Sequence, residues 1–255
     1  MAYTTIDDPS LYFQIALYTG NGNAGKEITL GSANFSGEYV GQAIQPDWIW
    51  GKCTNLSQNH NLFDTSRGLD KRLTSDEVDA ENTDSTTITA VASNSFTLGN
   101  STNLNNADDD FVAWLWKANG GTTTSFSASG AQLAGTRQSN TTAGFSIITY
   151  TGDGNNNATI PHGLNSAPKF VIIKDRGNST NWYVGHDATF TTGEIFLNLT
   201  NAVAAAFGPF NKTAPTASNI VLGTDGNVNG SSDTMICYAF AEVQGYSKFG
   251  KYKGN

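Results

Sequence analysis

Short apolar segments separated by polar turns run through the whole chain. The segments include WIW, FVAWLW, FVII and MICYAF, and Asn, Gly, Asp and Ser fill the intervals between them. Runs of this length, rich in branched and aromatic side chains, predict β-strands because such side chains pack well on a pleated surface. The pattern therefore indicates an all-β protein.

The segment FVAWLW, residues 111–116, is apolar at every position. Because successive side chains of a strand point to opposite faces, Trp114 and Trp116 share one face while Ala113 and Leu115 share the other. A strand that is apolar on both faces is typical of a sheet covered on both sides, and we expect its tryptophans to be core residues rather than ligand-stacking ones. The aromatic residues expected in two sandwich cores are Trp48, Trp114, Trp116, Phe170, Tyr238 and Phe240.

One phrase occurs twice, as LYTGNG at residues 17–22 and as TYTGDG at residues 149–154. Other landmarks recur at similar spacing: Pro46 and Pro168 open matching segments 122 residues apart, and Trp114 and Tyr238 lie 124 residues apart. Units of this length can each hold a core, which favours a duplicated domain over a solenoid. The opening phrases are 132 residues apart, so the first copy carries about ten extra residues, which we assign to ANFSGEYVGQ at residues 33–42.

These repeats predict a specific domain organisation. We expect two tandem antiparallel β-sandwich domains, jelly-roll-like in type, that arose by internal duplication. The first repeat spans residues 1–118 and the second spans residues 143–243. The segment 119–142, rich in Gly, Ser and Thr, is expected to be a linker, and residues 244–255 are expected to form a terminal strand or tail.

Local composition also predicts where helices and tight turns lie. TNAVAAAF, residues 200–207, and the acidic segment DEVDAE, residues 76–81, predict one short helix in each copy. The glycine-rich segments TGDGNNN and GTDGNVNG are expected to be hairpin turns, because Asn-Gly and Asp-Gly accept positive φ.

Charge and targeting signals argue against a nucleic-acid-binding, secreted or membrane-inserted protein. The formal net charge is −8 and no basic stripe is present, which argues against nucleic-acid binding. The opening segment MAYTTIDDPS has neither a basic region nor an apolar core, so we expect no signal peptide and synthesis in the cytoplasm. No apolar run is long enough to span a bilayer, so we expect no membrane insertion. Cys53 and Cys237 lack CxxC spacing and are expected to be buried free thiols.

The chain offers little catalytic chemistry. No GxSxG, phosphate-binding loop or HExxH motif occurs, so we predict a non-enzymatic protein without catalytic residues, cofactor or dedicated metal. The loop from residue 225 to residue 233 carries oxygen ligands of the kind calcium uses, but it lacks the EF-hand pattern and a bidentate Glu. A structural turn is therefore favoured, and the weak calcium candidates are Asp225, Asn227, Asn229 and Asp233.

One aromatic pair distinguishes the two copies. Trp182 and Tyr183 follow a polar turn, whereas the corresponding place in the first copy holds His60 and no large aromatic residue. Sugar rings stack on exposed aromatic faces, so Trp182 and Tyr183 are the candidates for glycan contact. The favoured interpretation is nevertheless that Trp182 packs on its own sandwich.

Several segments carry a family resemblance that extends over essentially the whole chain: DPSLYFQIALYTGNG, QPDWIW, LFDTSRG, AGFSIITYTGDG, PHGLNSAPKFVIIK, TAPTASNIVLGTDGNVN and CYAFAEVQGYSKFG. In these motifs and their order, the chain resembles a family of duplicated, mostly uncharacterised β-domain proteins of marine and cyanobacterial bacteriophages. The resemblance implies a structural protein of the virion, and it supplies no catalytic residues.

The resemblance implies a tail-fibre or adhesin-type protein that is displayed on the virion and contacts the host surface, with host glycan as a partner. A capsid-decoration or head-fibre protein with contacts only to the shell is the alternative, and a glycan depolymerase is less favoured. Expected partners are other virion proteins and further copies of the chain. A trimer is expected from the resemblance and from a C-terminal segment that looks like a strand without a partner.

Overall fold

The computed structural model describes residues 4–31, 41–205 and 208–252. The chain is all-β and divides into two compact units. We call Asp8–Gly121 the first unit, and residues 122–252 together with residues 4–7 the second unit. Most of the predicted insertion, residues 33–40, lies outside the described residues.

The first unit begins with a 3-10 turn at Pro9–Leu11 and contains one short helix, α1, at Thr102–Asn105. Its strands are β1 (Phe13–Thr19), β2 (Lys26–Thr29), β3 (Trp48–Cys53), β4 (Asn61–Asp64), β5 (Gly68–Thr74), β6 (Asn82–Thr83), β7 (Ile88–Ala92), β8 (Ser95–Leu98) and β9 (Asp110–Trp116). They form an antiparallel sheet of order β1-β9-β3-β4-β5-β6 and a smaller sheet of order β2-β8-β7.

The second unit repeats this plan with additions at its edges. Its strands are β10 (Thr124–Phe126), β11 (Gly135–Asn140), β12 (Phe145–Thr151), β13 (Ala158–Pro161), β14 (Pro168–Asp175), β15 (Tyr183–His186), β16 (Ile195–Phe196), β17 (Asn219–Leu222) and β18 (Thr234–Ala241), with helix α2 at Gly226–Asn229. The large sheet has the order β10-β11-β12-β18-β14-β15-β16, and β13 pairs with β17. The sequence β12-β18-β14-β15 therefore matches β1-β9-β3-β4.

Each unit is a β-sandwich. In the first unit, the large sheet contributes Ala113 and Leu115 to the core and the small sheet contributes Phe96 and Leu98, all of them fully buried. The second unit buries the corresponding set, with Cys237 and Ala239 from its central strand. The alternation of side chains along each strand places these residues on one face of the sheet.

The repeated phrase has the same structural role in both units. Tyr18 donates its hydroxyl to the Leu104 carbonyl of α1 (2.9 Å), and Tyr150 donates to Val228 of α2 (2.6 Å). A buried asparagine at the end of each helix, Asn105 in α1 and Asn229 in α2, binds the turn that follows β1 or β12. The Asn105 amide oxygen accepts from the backbone N–H of Asn21 (2.9 Å).

The Asn229 amide makes the matching contacts in the second unit. Its oxygen accepts from the Asp153 N–H (3.0 Å), and its NH₂ group donates to the carbonyls of Asn155 (2.9 Å) and Gly223 (3.0 Å). These matched contacts support an origin by duplication, which stays a prediction.

Replacing Asn229 with alanine should lower the stability of the second unit by about 2–3 kcal/mol, because buried backbone groups lose their partners. Asn155→Ala is the matched control, since this asparagine is exposed in the same loop. Denaturant unfolding followed by circular dichroism measures the difference. Equal stability of the two variants would show that the hydrogen bonds of the Asn229 side chain contribute little.

The predicted linker is wrong. Residues 124–126 and 135–140 form β10 and β11, and β11 pairs with β12 along its whole length. Threonines have good strand propensity, and the hydroxyls of Thr136 and Thr149 bond across the strands at 2.7 Å. The compact units therefore divide at residues 121 and 122, not at a linker from residue 119 to residue 142.

Each unit contains a short helix, as predicted, but neither helix lies at the predicted position. Residues 76–81 form turn and irregular backbone, and no helix occupies residues 200–205, the described part of the second candidate. Ala204 instead exchanges two backbone hydrogen bonds with Glu194. The helix α2 lies within GTDGNVNG, which was expected to be a hairpin turn. In the described residues, no helix has the length and apolar character needed to cross a membrane.

The C-terminal segment is not a strand in its described part, residues 244–252. It turns back at Gly245, where φ is +79°, and a single bridge joins Val243 to Ser247. The Phe249 ring then stacks on Phe170 with 5.7 Å between ring centroids and an interplanar angle of 3°. This segment packs on its own unit.

Candidate functional site

The outward face of the large sheet in the first unit carries an aromatic cluster. Trp114 on the central strand pairs with Trp50 on one side and with Ile15 on the other. Trp50, Trp114 and Trp116 are half-buried, and Ile15 is 49% exposed. The cluster therefore lies on the side of the sheet opposite the sandwich core.

Four side chains of this face line an open pocket of about 250 Å³, which we call the tryptophan pocket: Trp50, His60, Trp114 and Trp116. The rings of Trp50 and Trp114 meet edge to face, with centroids 6.3 Å apart and planes at 75°. The His60 imidazole lies nearly parallel to Trp114, at 6.5 Å and 11°. The pocket wall therefore consists of ring faces and ring edges.

The six aromatic residues that were predicted as core residues all lie on the outward faces of the large sheets, and none belongs to the two sandwich-core clusters. Trp48 and Tyr238 are fully buried, as predicted. The prediction is wrong for the other four, which are only half-buried: Trp114, Trp116, Phe170 and Phe240. The core side of β3 is tightly filled where it meets α1. A Cβ atom on Gly51 would lie 2.6 Å from the Leu104 side chain of α1.

His60 is the only titratable side chain among the four pocket residues. Its Nδ1 accepts a hydrogen bond from Trp50 Nε1 (2.9 Å), and its backbone N–H donates to the Asp76 carboxylate (2.9 Å). Burial lowers the pKa of His60 from the ordinary value of 6.5; the Asp76 carboxylate raises it, and the Lys52 ammonium lowers it. The imidazole is thus biased toward its neutral form.

The loop before His60 is held by Lys52. The Lys52 ammonium donates to the carbonyls of Cys53 (2.9 Å) and Gln58 (2.6 Å), at the two ends of the loop. In the second unit, the buried Lys174 closes the matching loop through the carbonyls of Asp175 and Asn178. This clamp positions His60 at the start of β4.

A family model described as a domain of unknown function, DUF7483, matches residues 8–255. The chain belongs to the DUF7483 family. The single match extends over both units, so one family domain comprises two sandwiches. No curated protein and no solved structure matches the chain.

The glycan candidates Trp182 and Tyr183 are buried in the DUF7483 structure, with 0% and 6% of their surfaces exposed. The Tyr183 ring packs edge to face on Phe196, and its hydroxyl donates to the Asp225 carboxylate (3.2 Å). Neither ring offers a face to a ligand, so these two candidates are wrong. Trp182 packs in the place that His60 occupies in the first unit.

The tryptophan pocket of this DUF7483 domain was missed because FVAWLW is apolar on both faces. The available signal was the alternation of tryptophan with alanine and leucine, which separates a bulky face from a smaller one. In the second unit, the positions matching Trp50 and Trp114 hold Ile172 and Tyr238, which are 2% and 0% exposed. The open pocket is therefore a feature of the first unit.

The four calcium candidates bind other partners. Asp225 caps α2 and accepts from the Asn227 backbone N–H (2.9 Å), and Asn229 holds the loop after β12. The Asp233 carbonyl accepts from Gly152 N–H (2.9 Å). Across the described ranges, no three His, Cys, Asp or Glu side chains form a group that could hold a metal ion.

The two cysteines are free and buried, as the spacing predicted. Burial raises the pKa of the Cys237 thiol, which disfavours the nucleophilic thiolate. Cys53 lies in the core of the first unit. Their environment is that of packing residues.

Proposed function

We propose that this DUF7483 protein is a non-enzymatic component of a bacteriophage virion, of the tail-fibre or adhesin type, that binds glycan on the host surface through the tryptophan pocket. The observation that carries the proposal is the open cluster of ring faces on the outward side of the first unit. The virion setting rests on the family resemblance of the sequence motifs. Other virion proteins and further copies of the chain, in a trimer, remain the proposed partners.

The chemistry of the pocket suits a sugar ring. One face of many hexopyranoses presents C–H groups, and stacking this face on an aromatic ring removes apolar surface of both partners from water. A binding site of this kind needs few polar groups, placed to fix orientation. The accessible surface of the tryptophan pocket is almost entirely apolar, so the ring faces of Trp50 and Trp114 would make the contact.

The lining residues favour binding over cleavage. Glycoside hydrolysis usually requires two carboxylates that flank the scissile bond, about 5–9.5 Å apart. The four lining side chains are three indoles and one imidazole. A glycan depolymerase therefore remains the less favoured function.

One observation favours the capsid-decoration or head-fibre alternative. Ile15 and Leu17 on the edge strand β1 are 49% and 63% exposed, and both point to the same side of the sheet as Trp114. Exposed apolar residues beside a ring cluster are also typical of a protein-binding surface. The two functions differ in whether the pocket or this edge makes the contact.

Trp114→Ala should weaken binding of the intact protein to purified host-envelope polysaccharide by at least about 30-fold, since buried tryptophan anchors typically contribute 2 kcal/mol or more. Leu17→Ala is the matched control, because this residue lies on the same face but does not line the pocket. Its binding should equal that of the wild type. Thermal melts check that both variants are folded.

Unchanged binding by a folded Trp114→Ala variant would contradict the role of the pocket. Loss of binding in the Leu17 variant alone, measured against purified capsid shells, would instead support the decoration alternative.

A further inference from the structure

The strand β1 forms one edge of the large sheet in the first unit, where its neighbour is β9. Gly20 donates its N–H to the Asp109 carbonyl (2.8 Å) and Lys117 donates to the Tyr12 carbonyl (2.9 Å), so the even-numbered residues of β1 bond to β9. The odd-numbered residues therefore direct their backbone groups to the open edge. Among the described residues, no backbone hydrogen-bond partner on that side occurs for Phe13, Ile15, Leu17 and Thr19.

The second unit shows what such an edge accepts. The strand matching β1 is β12, and β11 pairs with the outer edge of β12 along its whole length. Thr151 donates its N–H to the Ala134 carbonyl (3.2 Å), so the odd-numbered residues of β12 bond to β11. At the repeat spacing of 132 residues Ile15 corresponds to Ile147, which is 0% exposed. Within the described residues, the first unit has no counterpart of β11.

The strand β1 lacks the features that usually protect an open edge. Its seven residues, FQIALYT, include no charge and no proline, and its register with β9 continues without a bulge. Ile15 and Leu17 are 49% and 63% exposed on the outward face. Lysine, proline and bulges are the usual means by which an exposed edge avoids pairing with another chain. This edge therefore has the character of a pairing surface.

We propose that β1 is a self-association surface, on which the β1 strands of two copies of the chain pair antiparallel about a two-fold axis at Ala16. This register sets all of Phe13–Thr19 against the same segment of the second copy. It places Ile15 opposite Leu17 of the second copy, and the odd-numbered residues then exchange the backbone hydrogen bonds that the single chain leaves open. The pairing goes beyond the proposed function and does not depend on glycan binding.

Charge and symmetry favour a second copy of this chain as the partner. A charged strand would lose hydration against Ile15 and Leu17 without gaining an opposite charge, whereas β1 brings no charge to the contact. Two identical edges form an isologous contact that closes after two copies. Pairing of β1 with a different edge of the next copy would instead form a ring, such as a trimer, or a filament. An assembly built with the β1 pair should therefore contain an even number of copies.

The pairing has a consequence for the tryptophan pocket. It would join two large sheets into one and leave both pockets on the same face, because the two-fold axis is perpendicular to the sheet. Adjacent strands lie about 4.8 Å apart, so the two β9 strands would lie three spacings, about 14 Å, apart. Two pockets at this separation could bind one polysaccharide chain together and increase its affinity without a new contact. This consequence, unlike the pairing itself, rests on the proposed function.

Sedimentation of the full chain tests the pairing. The wild type should contain an even number of copies. The double variant Ile15→Lys, Leu17→Lys sets lysines directly opposite each other and should raise the dissociation constant of the pair at least about tenfold, and Ile15→Glu, Leu17→Glu should do the same. An equimolar mixture of the two double variants should pair again, because each lysine then faces a glutamate.

Matched variants separate the edge from general effects of charge and side-chain loss. Val78→Lys adds a lysine at another exposed apolar position of the first unit and should assemble like the wild type. Leu17→Ala adds no charge and keeps the backbone bonds, so it should still pair. Trp114→Ala should also assemble normally, so that a failure of the glycan proposal and a failure of the pairing are distinguishable. Thermal melts check that each variant is folded.

Cysteine variants test the register. Directly opposite residues of a hydrogen-bonded pair have Cα atoms about 5.5 Å apart, which a disulfide can span. Ile15→Cys, Leu17→Cys should therefore give a covalent dimer on mild oxidation. Either single cysteine variant should not, because its counterpart is a diagonal neighbour about 7–8 Å away. The native Cys53 and Cys237 are buried and do not compete.

Several outcomes would overturn the proposal. These are a wild type with one copy or an odd number of copies at high concentration, double variants that keep the wild-type mass, and a mixture that fails to pair. A covalent dimer of a single cysteine variant would overturn the register. A monomeric wild type whose double-lysine variant lost binding to purified capsid shells would show that the edge pairs with another protein, and it would overturn self-association.

Discussion

Replacing Trp182 with alanine should lower the free energy of unfolding of the second unit by about 3–5 kcal/mol, the usual cost of deleting a large aromatic side chain from a packed site. Trp182 is fully buried, and its backbone is held by the Asn198 side chain (3.0 Å) and by the Leu197 N–H (3.0 Å). Glycan binding at a temperature where the variant is folded should stay unchanged, since Trp182 does not line the tryptophan pocket.

Tyr252→Ala is the control for this variant. Tyr252 is 96% exposed, so its removal should change stability by no more than about 0.5 kcal/mol. Denaturant unfolding and polysaccharide binding, measured on both variants, separate packing from recognition. If the Trp182→Ala protein had normal stability but no longer bound polysaccharide, the glycan site would lie in the second unit and the prediction would be wrong.

Much of the strand pattern could be predicted from the sequence because it depends on local features. FVAWLW and MICYAF became the central strands β9 and β18, and the repeated phrase marks β1 and β12. Composition and turn residues are sufficient for this kind of prediction. The short helices could not be predicted, because four residues after a capping Ser101 or Asp225 leave little periodic signal.

Which face of a strand points inward could not be predicted for β9. Both faces are apolar, so the choice depends on what packs against them, and that is non-local information. In the first unit Leu104 of α1 approaches the sheet so closely that β3 needs glycine at residue 51. The bulky tryptophans are therefore placed on the outward face, where the candidate site lies.

The difference between His60 and Trp182, at matching positions of the two copies, correctly indicated a candidate site in one copy, but the site was assigned to the wrong copy. His60 directly precedes Asn61, which pairs with Gly51, and Trp182 directly precedes Tyr183, which pairs with Ile173. The larger residue suggested an exposed stacking platform. In the structure, the large residue is buried and the copy with the smaller, polar residue keeps the open pocket.

The polar strand β11 was missed for a different reason. Residues 135–140 contain Gly, Thr, Ser and Asn, a composition shared by linkers and by polar strands. Pairing with β12 decides between them, and Gln138 is fully buried as a result. Composition alone carries no information about such a partner.

Replacing Arg67 with alanine should destabilise the first unit by about 3–5 kcal/mol, because it leaves a buried carboxylate without its cation. Arg67 Nε lies 2.5 Å from Asp64, its Nη1 lies 2.8 Å from Glu81, and the Asp64 and Arg67 side chains are both fully buried. A third donor reaches the Leu62 carbonyl at 3.3 Å. The guanidinium thus joins β4 to the segment before β6.

Two further variants identify the cause of that loss. Lys71→Ala removes an ion pair with Asp70 whose side chains are 31% and 45% exposed, so it should cost no more than about 1 kcal/mol. Arg67→Lys keeps the charge but cannot donate in the same planar fork to three acceptors, and it should recover only part of the stability. If unfolding curves gave the same small loss of stability for Arg67→Ala as for Lys71→Ala, the buried Asp64 carboxylate would be shown to tolerate the loss of its cation.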